Sequence, residues 1–257
     1  MRDNKTKRIM SSGGLALGLS LTVADPFVAE VVGGAGLDFV LIDAEHSPIS
    51  IDQLQTMLIA LRSSGSTVLV RPTANDPAQI KQILDLGAEG LVVPEVEDAA
   101  SCAAAVAAVR YPPLGRRGFG PRRAARLDGG RAAYLARADE EIALLVMIES
   151  AAAVAGIDGI LKTPGLDGIM VGPADLAVSM GHLNDLGHAD VRVAIGAVRD
   201  ACERQSVPFG IFAATEQAAR EWSAAGARFM TIGADTQFLD QGIARSRTLA
   251  QSLKESR

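Results

Sequence analysis

Two carboxylates in this sequence stand at the ends of short apolar runs, where together they could bind a metal ion. Glu149 directly follows the run Ile142–Ile148, and Asp175 comes shortly after the run Leu166–Gly172. If neighbouring strands aim both side chains at one point, the two anions need a cation, and oxygen ligands suit Mg²⁺ or Mn²⁺. The alternative is structural, because a carboxylate in the first turn of a helix can cap it or offset its dipole.

His46 and Arg71 also close apolar runs, and their side chains could move a proton and hold a negative charge. Imidazole exchanges protons near neutral pH, and the planar guanidinium can hold a carboxylate or an enolate oxygen. The alternatives are a buried histidine bonded to backbone and an ion pair between Arg71 and Glu45. The other two histidines, His182 and His188, fall in a predicted surface loop.

The turn Gly172-Pro173-Ala174-Asp175 is predicted to open a helix, and it offers free backbone N–H groups. Such a helix start attracts anions and would suit the carboxylate of a substrate. None of the five lysines closes a predicted strand, whereas a Schiff-base aldolase would need a lysine at the barrel mouth. The pattern therefore favours metal chemistry.

Eight apolar runs must position these residues, and each is rich in Leu or β-branched residues without clean alternation. They are Leu15–Leu21, Asp38–Asp43, Thr67–Arg71, Gly90–Pro94, Ile142–Ile148, Leu166–Gly172, Val207–Phe212 and Arg228–Gly233. Such runs are typical of strands that are buried on both faces. Eight strands alternating with helices in 257 residues predict a single-domain (β/α)8 TIM barrel, with a doubly wound open sheet as the alternative.

Helices are predicted at Asp52–Arg62, Pro77–Leu86, Glu97–Arg110, Asp190–Gln205 and Thr215–Ala225. The segment Pro112–Asp128 is predicted to be a long irregular loop. Its basic part, Arg116–Arg123, is interpreted as a solvated loop or subunit contact, with a lid for an anionic second substrate as the alternative.

Residues 1–14 are predicted to form an N-terminal extension. The basic residues before Leu15 loosely imitate a signal peptide, but the barrel needs the following segment as its first strand.

The composition excludes several classes of protein. The 25 basic and 30 acidic residues leave a net charge of −5, which speaks against a general nucleic-acid binder. Cys102 and Cys202 are the only cysteines, which fits a reducing compartment such as the cytoplasm and excludes a disulfide scaffold. No apolar run approaches the roughly 18 residues of a membrane span.

The chain resembles the HpcH/HpaI family of class II pyruvate aldolases from about Leu15 to about Leu239. The motifs that carry the resemblance follow the order of the family. They are Leu41-Ile42-Asp43-Ala44-Glu45-His46, Val70-Arg71-Pro72, Leu84-Asp85-Leu86-Gly87-Ala88, Arg110-Tyr111-Pro112-Pro113, Ile148-Glu149 and Val171-Gly172-Pro173-Ala174-Asp175-Leu176.

The resemblance implies a role for each candidate. Glu149 and Asp175 would bind the divalent cation, Mg²⁺, Mn²⁺ or Co²⁺, and His46 would be the general base. Arg71 would stabilise the enolate, and Ala174 would bind the pyruvate carboxylate through its backbone.

Two further residues bear on the site. Asp85 would tune the histidine, yet it is predicted to end a helix at the opposite rim of the barrel from His46. We expect it to reach the His46 of a neighbouring subunit. The alternatives are a different boundary of the fourth strand and a purely structural role for Asp85 at the end of its helix. Some family members carry glutamine where this chain has Met147, and a thioether lacks the amide donor of glutamine. Hydroxypyruvate is therefore a candidate donor beside pyruvate.

The expected activity is the reversible formation of 4-hydroxy-2-oxo acids from a 2-oxo acid and an aldehyde. The alternative on the same fold is a CoA-thioester lyase of the citrate lyase β type. The expected assembly is a homo-oligomer, a hexamer by resemblance to the family.

Overall fold

The computed structural model describes residues 1–183, 185 and 187–256, and within them eight parallel strands close into a barrel in chain order. The strands are β1 (Ala16–Leu21), β2 (Phe39–Asp43), β3 (Thr67–Arg71), β4 (Gly90–Val93), β5 (Ala143–Ile148), β6 (Gly168–Val171), β7 (Phe209–Phe212) and β8 (Phe229–Ala234). The α-helices are α1 (Lys5–Ser11), α2 (Pro26–Gly33), α3 (Ile51–Ala60), α4 (Pro77–Asp85), α5 (Ala99–Val109), α6 (Arg122–Leu127), α7 (Arg131–Glu141), α8 (Ala151–Ala155), α9 (Ile157–Leu161), α10 (Pro173–Ser179), α11 (Ala189–Gln205), α12 (Glu216–Ala224) and α13 (Asp235–Glu255).

The (β/α)8 prediction is confirmed, since each of the eight apolar runs corresponds to one strand. β1 pairs with both β2 and β8, which closes the sheet, so the open-sheet alternative is wrong. The five predicted helices correspond to α3, α4, α5, α11 and α12, with ends that differ by two residues or fewer. Local signals explain these starts: Asp76 caps α4 ahead of Pro77, and Ser50 forms a capping box with Gln53 at α3.

The barrel interior is packed by side chains from alternating strand positions. Phe39 on β2 and Phe229 on β8 stack inside the barrel with ring centroids 4.1 Å apart. Gly18 on β1 lies between these two strands, where an added Cβ would overlap the ring and the carbonyl oxygen of Phe39. The aromatic pair therefore requires a residue without a side chain on β1.

Gly18→Ala is expected to destabilise the protein by about 3 kcal/mol, because backbone and ring must both shift to admit the methyl group. Chemical denaturation would measure the change in the free energy of unfolding. Gly196→Ala is the matched control: Gly196 lies in α11, nothing stands within 4 Å of its added Cβ, and alanine there should be neutral or stabilising. Equal stability of both variants would contradict this account of the barrel interior.

Two segments outside the predicted elements are more ordered than their composition indicates. The expectation that Pro112–Asp128 is wholly irregular is wrong, since it contains the short helix α6, whose Ala124 and Ala125 are buried against the protein. Residues 1–14 contain α1. The side-chain amide of Asn4 in this segment donates to the carbonyls of Glu89 and Glu141 at the amino end of the barrel.

The last helix, α13, is almost entirely exposed, since every residue from Phe238 to Glu255 is open to solvent. Its only buried residue is Asp235, and five large apolar side chains are exposed: Phe238, Leu239, Ile243, Leu249 and Leu253. Among the described residues, no helix combines the length and the apolar character that crossing a membrane requires.

Candidate active site

A cavity of about 490 Å³ opens at the carboxyl end of the strands, on the side formed by β2 to β6. The lining residues come from the segments that follow β2, β4, β5 and β6, and they are Glu45, His46, Glu95, Val96, Glu97, Glu149, Ser150 and Asp175. Three sequence-predicted site residues, His46, Glu149 and Asp175, thus line one cavity. Arg71 lies behind them at the end of β3, in register with Asp43.

Glu149 and Asp175 have the chemistry of a divalent-cation site. Burial raises the pKa of Glu149 above its ordinary value, and the nearby negative charge of Asp175 raises it further, although an N–H donated by Glu95 opposes both. A cation bound between the two carboxylates would offset the repulsion between their negative charges. The donors are carboxylate oxygens, so the pair fits Mg²⁺, Mn²⁺ or Co²⁺.

The capping alternative for Glu149 is not supported, because another residue already caps the helix that follows. The hydroxyl of Ser150 accepts the N–H of Ala153 at the start of α8. The Glu149 carboxylate instead accepts the backbone N–H of Glu95 at 2.8 Å through Oε1. Its second oxygen, Oε2, lies 3.4 Å from where a Cβ on Gly172 would stand, so glycine there leaves room beside the carboxylate.

Glu95 holds this N–H in place through an unusual backbone conformation. Its φ is +58°, a left-handed value that costs a residue with a side chain on the order of 1 kcal/mol or more. The segment Val93-Pro94-Glu95 leaves β4 in this conformation and turns the N–H of Glu95 toward Glu149. Sequence reasoning missed Glu95, although it follows the fourth apolar run just as the other candidates follow theirs.

Arg71 is bound on two sides by carboxylates. Its Nε and NH2 donate to the two oxygens of Asp43 at 2.9 and 2.6 Å. Asp43 also accepts the backbone N–H groups of Glu45 and His46. Burial alone would raise the pKa of Asp43, but the bonds and charge of Arg71 together with these N–H groups hold it below its ordinary value. The planar guanidinium of Arg71 therefore binds Asp43 with two of its nitrogens. The sequence alone does not single out Asp43 as a site residue.

Glu45 links Arg71 to the cavity. Arg71 NH1 lies 2.9 Å from Glu45 Oε2, but not in a hydrogen-bonding direction, so this buried oxygen has no hydrogen-bond partner among the described residues. Burial raises the pKa of Glu45 to about 7; the charge of Glu149 adds to this effect and that of Arg71 opposes it. The predicted pairing of Arg71 with Glu45 thus exists beside the stronger one with Asp43.

His46 faces the cavity from the loop after β2. Its side chain is 60% exposed, and Nε2 lies 3.6 Å from Glu45 Oε2. The imidazole can therefore meet a substrate from the solvent side, with a carboxylate beside it that can orient the ring. The alternative of a buried histidine bonded to backbone is wrong for this residue.

The turn from Gly172 to Asp175 forms the start of α10, as predicted. Gly172 is the N-cap, Pro173 is the first helical residue, and no side chain caps the helix. Ala174 is exposed and Asp175 lines the cavity. The N–H groups of this first turn are thus available beside the two carboxylates.

Asp85 lies away from the cavity, at the end of α4. One oxygen accepts Arg117 NH2 at 2.7 Å, and the Arg117 side chain is fully buried. β4 begins five residues later and its four residues span roughly 13 Å, which separates Asp85 from the end where His46 lies. Arg117, which belongs to the basic loop Arg116–Arg123, therefore forms an ion pair with Asp85. No residue of this loop is among those that line the cavity.

A second group of possible metal ligands lies in the loop after α10. His182, His188 and Asp190 place one ligand atom each within 4.8 Å of one another, and the two imidazoles stack at 3.7 Å. His188 caps α11 by accepting the N–H of Asp190, which accounts for its position. Both histidines are half-buried rather than fully solvated, and Asn184 and Leu186 of the predicted loop lie outside the described residues.

Comparison with known proteins gives consistent matches over nearly the whole chain. The family model described as HpcH/HpaI aldolase/citrate lyase matches residues 17–241. A hydroxypyruvate/pyruvate aldolase of Pseudomonas aeruginosa is 40% identical over 92% of this chain and 88% of its own length. A 5-keto-4-deoxy-D-glucarate aldolase of Klebsiella pneumoniae subsp. pneumoniae is 37% identical over 98% of this chain and 97% of its own.

The fold agrees equally well with a solved structure. The crystal structure of an HpcH/HpaI aldolase/citrate lyase family protein from Burkholderia cenocepacia J2315 superposes with a TM-score of 0.90 and 36% identity. The match covers 98% of this chain and 99% of that one.

Proposed function

Since this chain belongs to the HpcH/HpaI aldolase/citrate lyase family and is an enzyme of the aldolase type, we propose that it makes and cleaves 4-hydroxy-2-oxo acids. The donor is the enolate of pyruvate or hydroxypyruvate, and the acceptor is an aldehyde. The observation that carries the proposal is the convergence of Glu149, Asp175 and His46 on one cavity. The relative from Pseudomonas aeruginosa, named for both donors, supports this choice.

The residues of the cavity divide the chemistry between them. Glu149 and Asp175 would hold a divalent cation, which supplies Lewis-acid stabilisation of the enolate when bound. His46 accepts the proton that leaves the carbon next to the ketone. The free N–H groups around Ala174 hold the substrate carboxylate. Arg71 adds positive charge near the enolate oxygen through Nη1, since its other two nitrogens are bound to Asp43. Nη1 itself donates to Met147 Sδ at 3.5 Å and lies 2.9 Å from Glu45 Oε2.

The lining of the cavity argues against the CoA-thioester alternative. Coenzyme A carries several phosphate groups, which bind to arginine, lysine or helix starts. None of the eight lining residues is basic except His46, and five are acidic. A small 2-oxo acid and an aldehyde fit this cavity better than a polyanionic thioester.

One observation and the family resemblance together support a homo-oligomer, and the resemblance implies a hexamer. The apolar side chains of α13 are exposed, so a second copy of the chain could cover them. Asp85 lies too far from His46 to act within one chain. We therefore propose that Asp85 tunes the His46 of a neighbouring copy. We also place the enzyme in the cytoplasm, which the two unbridged, buried cysteines support.

Mixing two inactive variants would test the shared site. His46→Ala and Asp85→Ala should each be inactive alone, whereas mixed oligomers should regain activity at sites that combine an intact His46 with an intact Asp85. Turnover would be measured after subunit exchange, with exchange followed by mass spectrometry of differently labelled copies. Absence of recovery in demonstrably mixed oligomers would show that the two residues do not act across subunits.

Chelation would test the proposed function as a whole. Pyruvate or hydroxypyruvate with a panel of aldehydes should give 4-hydroxy-2-oxo acids. A chelator should abolish this turnover, and Mg²⁺, Mn²⁺ or Co²⁺ should restore it. Turnover that persists in chelator, together with a borohydride-trapped adduct of pyruvate on a lysine, would reject a metal-dependent aldolase.

A further inference from the structure

Arg117 is a buried cation that lies outside the cavity and takes no part in the chemistry proposed for it. Its side chain is fully buried, and Nη2 donates to Asp85 Oδ1 at 2.7 Å and to the hydroxyl of Tyr134 at 3.1 Å. The interpretation of the basic loop as solvated is therefore wrong for this residue. A guanidinium that is buried away from water is costly unless its contacts offset the loss of hydration.

The end of α5 and two tyrosine rings fix the position of Arg117. Its backbone N–H donates at 3.0 Å to the carbonyl of Arg110, the residue that follows α5. The guanidinium carbon lies 4.7 Å from the ring centroid of Tyr111 and 5.8 Å from that of Tyr134. Contacts of this kind stabilise a desolvated cation. The side chain is thus held on several sides, so it can in turn hold its partner Asp85 in one orientation.

Arg117 binds only one of the two carboxylate oxygens of Asp85. Arg71, by contrast, bonds both oxygens of Asp43, which is a common arrangement for arginine and a carboxylate. Two further nitrogens of Arg117, Nε and Nη1, are buried without a hydrogen-bond partner among the described residues. The contact therefore forgoes bonds that a purely structural ion pair would make, and it leaves Asp85 Oδ2 unused by Arg117.

Asp85 Oδ2 lies on the open side of this carboxylate, beside Gly120. A Cβ on Gly120 would stand 3.3 Å from this oxygen, and Gly120 is itself exposed. Glycine therefore leaves room for a donor to approach Oδ2. The Asp85 side chain is 21% exposed, so the carboxylate lies between the buried cation and the surface. This arrangement suits a carboxylate that receives a donor from another molecule.

We propose that Arg117 is a positioning residue for the site of a neighbouring copy: it fixes the Asp85 carboxylate so that Oδ2 is presented to the His46 of that copy. This inference rests on the proposed contact between Asp85 and the His46 of a neighbouring copy. One copy then supplies Arg117 and Asp85 together, and its neighbour supplies His46. Arg117 acts through Asp85 and does not itself meet the substrate. The basic loop accordingly serves as a subunit contact.

Arg117→Gln is expected to lower kcat about 10- to 100-fold, as does the loss of a residue that orients a metal ligand. The KM for pyruvate and the affinity for Mn²⁺ should change little, because Arg117 touches neither the substrate carboxylate nor the cation. Arg117→Lys keeps the charge and should retain more of the rate. Arg204→Gln is the matched control: Arg204 forms an exposed ion pair with Asp158, at 3.7 Å, and its loss should leave kcat unchanged.

Mixed oligomers would show with which copy Arg117 acts. Arg117→Gln mixed with His46→Ala should regain turnover, since the intact His46 of the first variant can meet Arg117 and Asp85 of the second. Arg117→Gln mixed with Asp85→Ala should be no faster than Arg117→Gln alone, because no copy then carries both residues intact. Subunit exchange would be followed by mass spectrometry of differently labelled copies. The mixture of His46→Ala with Asp85→Ala is the positive control.

Arg117→Lys provides the same test if Arg117→Gln does not assemble. Mixing it with His46→Ala should raise the turnover per intact His46 above that of Arg117→Lys alone. Mixing it with Asp85→Ala should not.

Three results would overturn the inference while leaving the aldolase function intact. The first is a kcat in Arg117→Gln equal to that of Arg204→Gln. The second is the reverse pattern, recovery with Asp85→Ala and none with His46→Ala, which would place Arg117 in the site of its own copy. The third is recovery with neither variant in demonstrably mixed oligomers, which would leave Arg117 a purely structural role.

The premises have outcomes of their own. A positive control without recovery would reject the contact between Asp85 and His46 of different copies, and the inference with it. Absence of turnover in wild type with every acceptor and either donor would instead reject the proposed aldolase function.

Discussion

Glu149→Gln and Asp175→Asn are each expected to lower aldol turnover on the order of 100-fold or more at limiting metal. Either change removes one of two anionic oxygen donors, whereas loss of a mere supporting partner of a metal ligand already costs about 10- to 100-fold. Calorimetric titration with Mn²⁺ should show weaker binding in parallel with the lost rate. High metal concentration should partly rescue each variant.

The fold should survive both substitutions, because the two side chains lie at the rim of the barrel and not in its core. Asp52→Asn is a useful control, since Asp52 is an exposed acidic residue in the first turn of α3 and contributes only through the helix dipole. It should leave turnover and metal affinity unchanged. If Asp175→Asn turns over at the normal rate at low metal concentration, Asp175 is not a metal ligand. Its carboxylate then acts only on the helix dipole, as that of Asp52 does.

The order of strands could be predicted because every strand of this barrel is buried on both faces and therefore reads as a continuous apolar run. The same regularity made the site visible, since a polar residue after such a run lies at the carboxyl end of the barrel. His46, Glu149 and Asp175 all follow this rule, and the structure brings them to one cavity.

This rule does not find residues or elements that depend on backbone conformation, strand register or long-range packing rather than on residue type. Glu95 matters through a left-handed backbone that nothing in the string Pro94-Glu95-Val96 indicates. Asp43 is the last residue of β2, and only the register of β2 against β3 sets it opposite Arg71. The helix α6 depends on the burial of Ala124 and Ala125 against distant parts of the chain, which short-range patterns do not contain.

Arg71→Lys is expected to lower kcat by at least about tenfold, although the charge is kept. Lysine has no planar fork, so it cannot bond both oxygens of Asp43 and still direct a third nitrogen toward Glu45. Asp43 would be left buried with part of its hydrogen bonding lost, which adds a structural cost. Rates and the free energy of unfolding must therefore be measured on the same samples.

A double-mutant cycle with Asp43→Asn separates the two effects. If Arg71 acts only by anchoring Asp43, the loss of kcat in each single variant should follow its loss of stability, and the double variant should be no slower than the worse single one. If NH1 stabilises the enolate, Arg71→Lys should slow turnover well beyond Asp43→Asn at equal stability. Full activity in Arg71→Lys would exclude the enolate role and leave Arg71 as a partner of Asp43 alone.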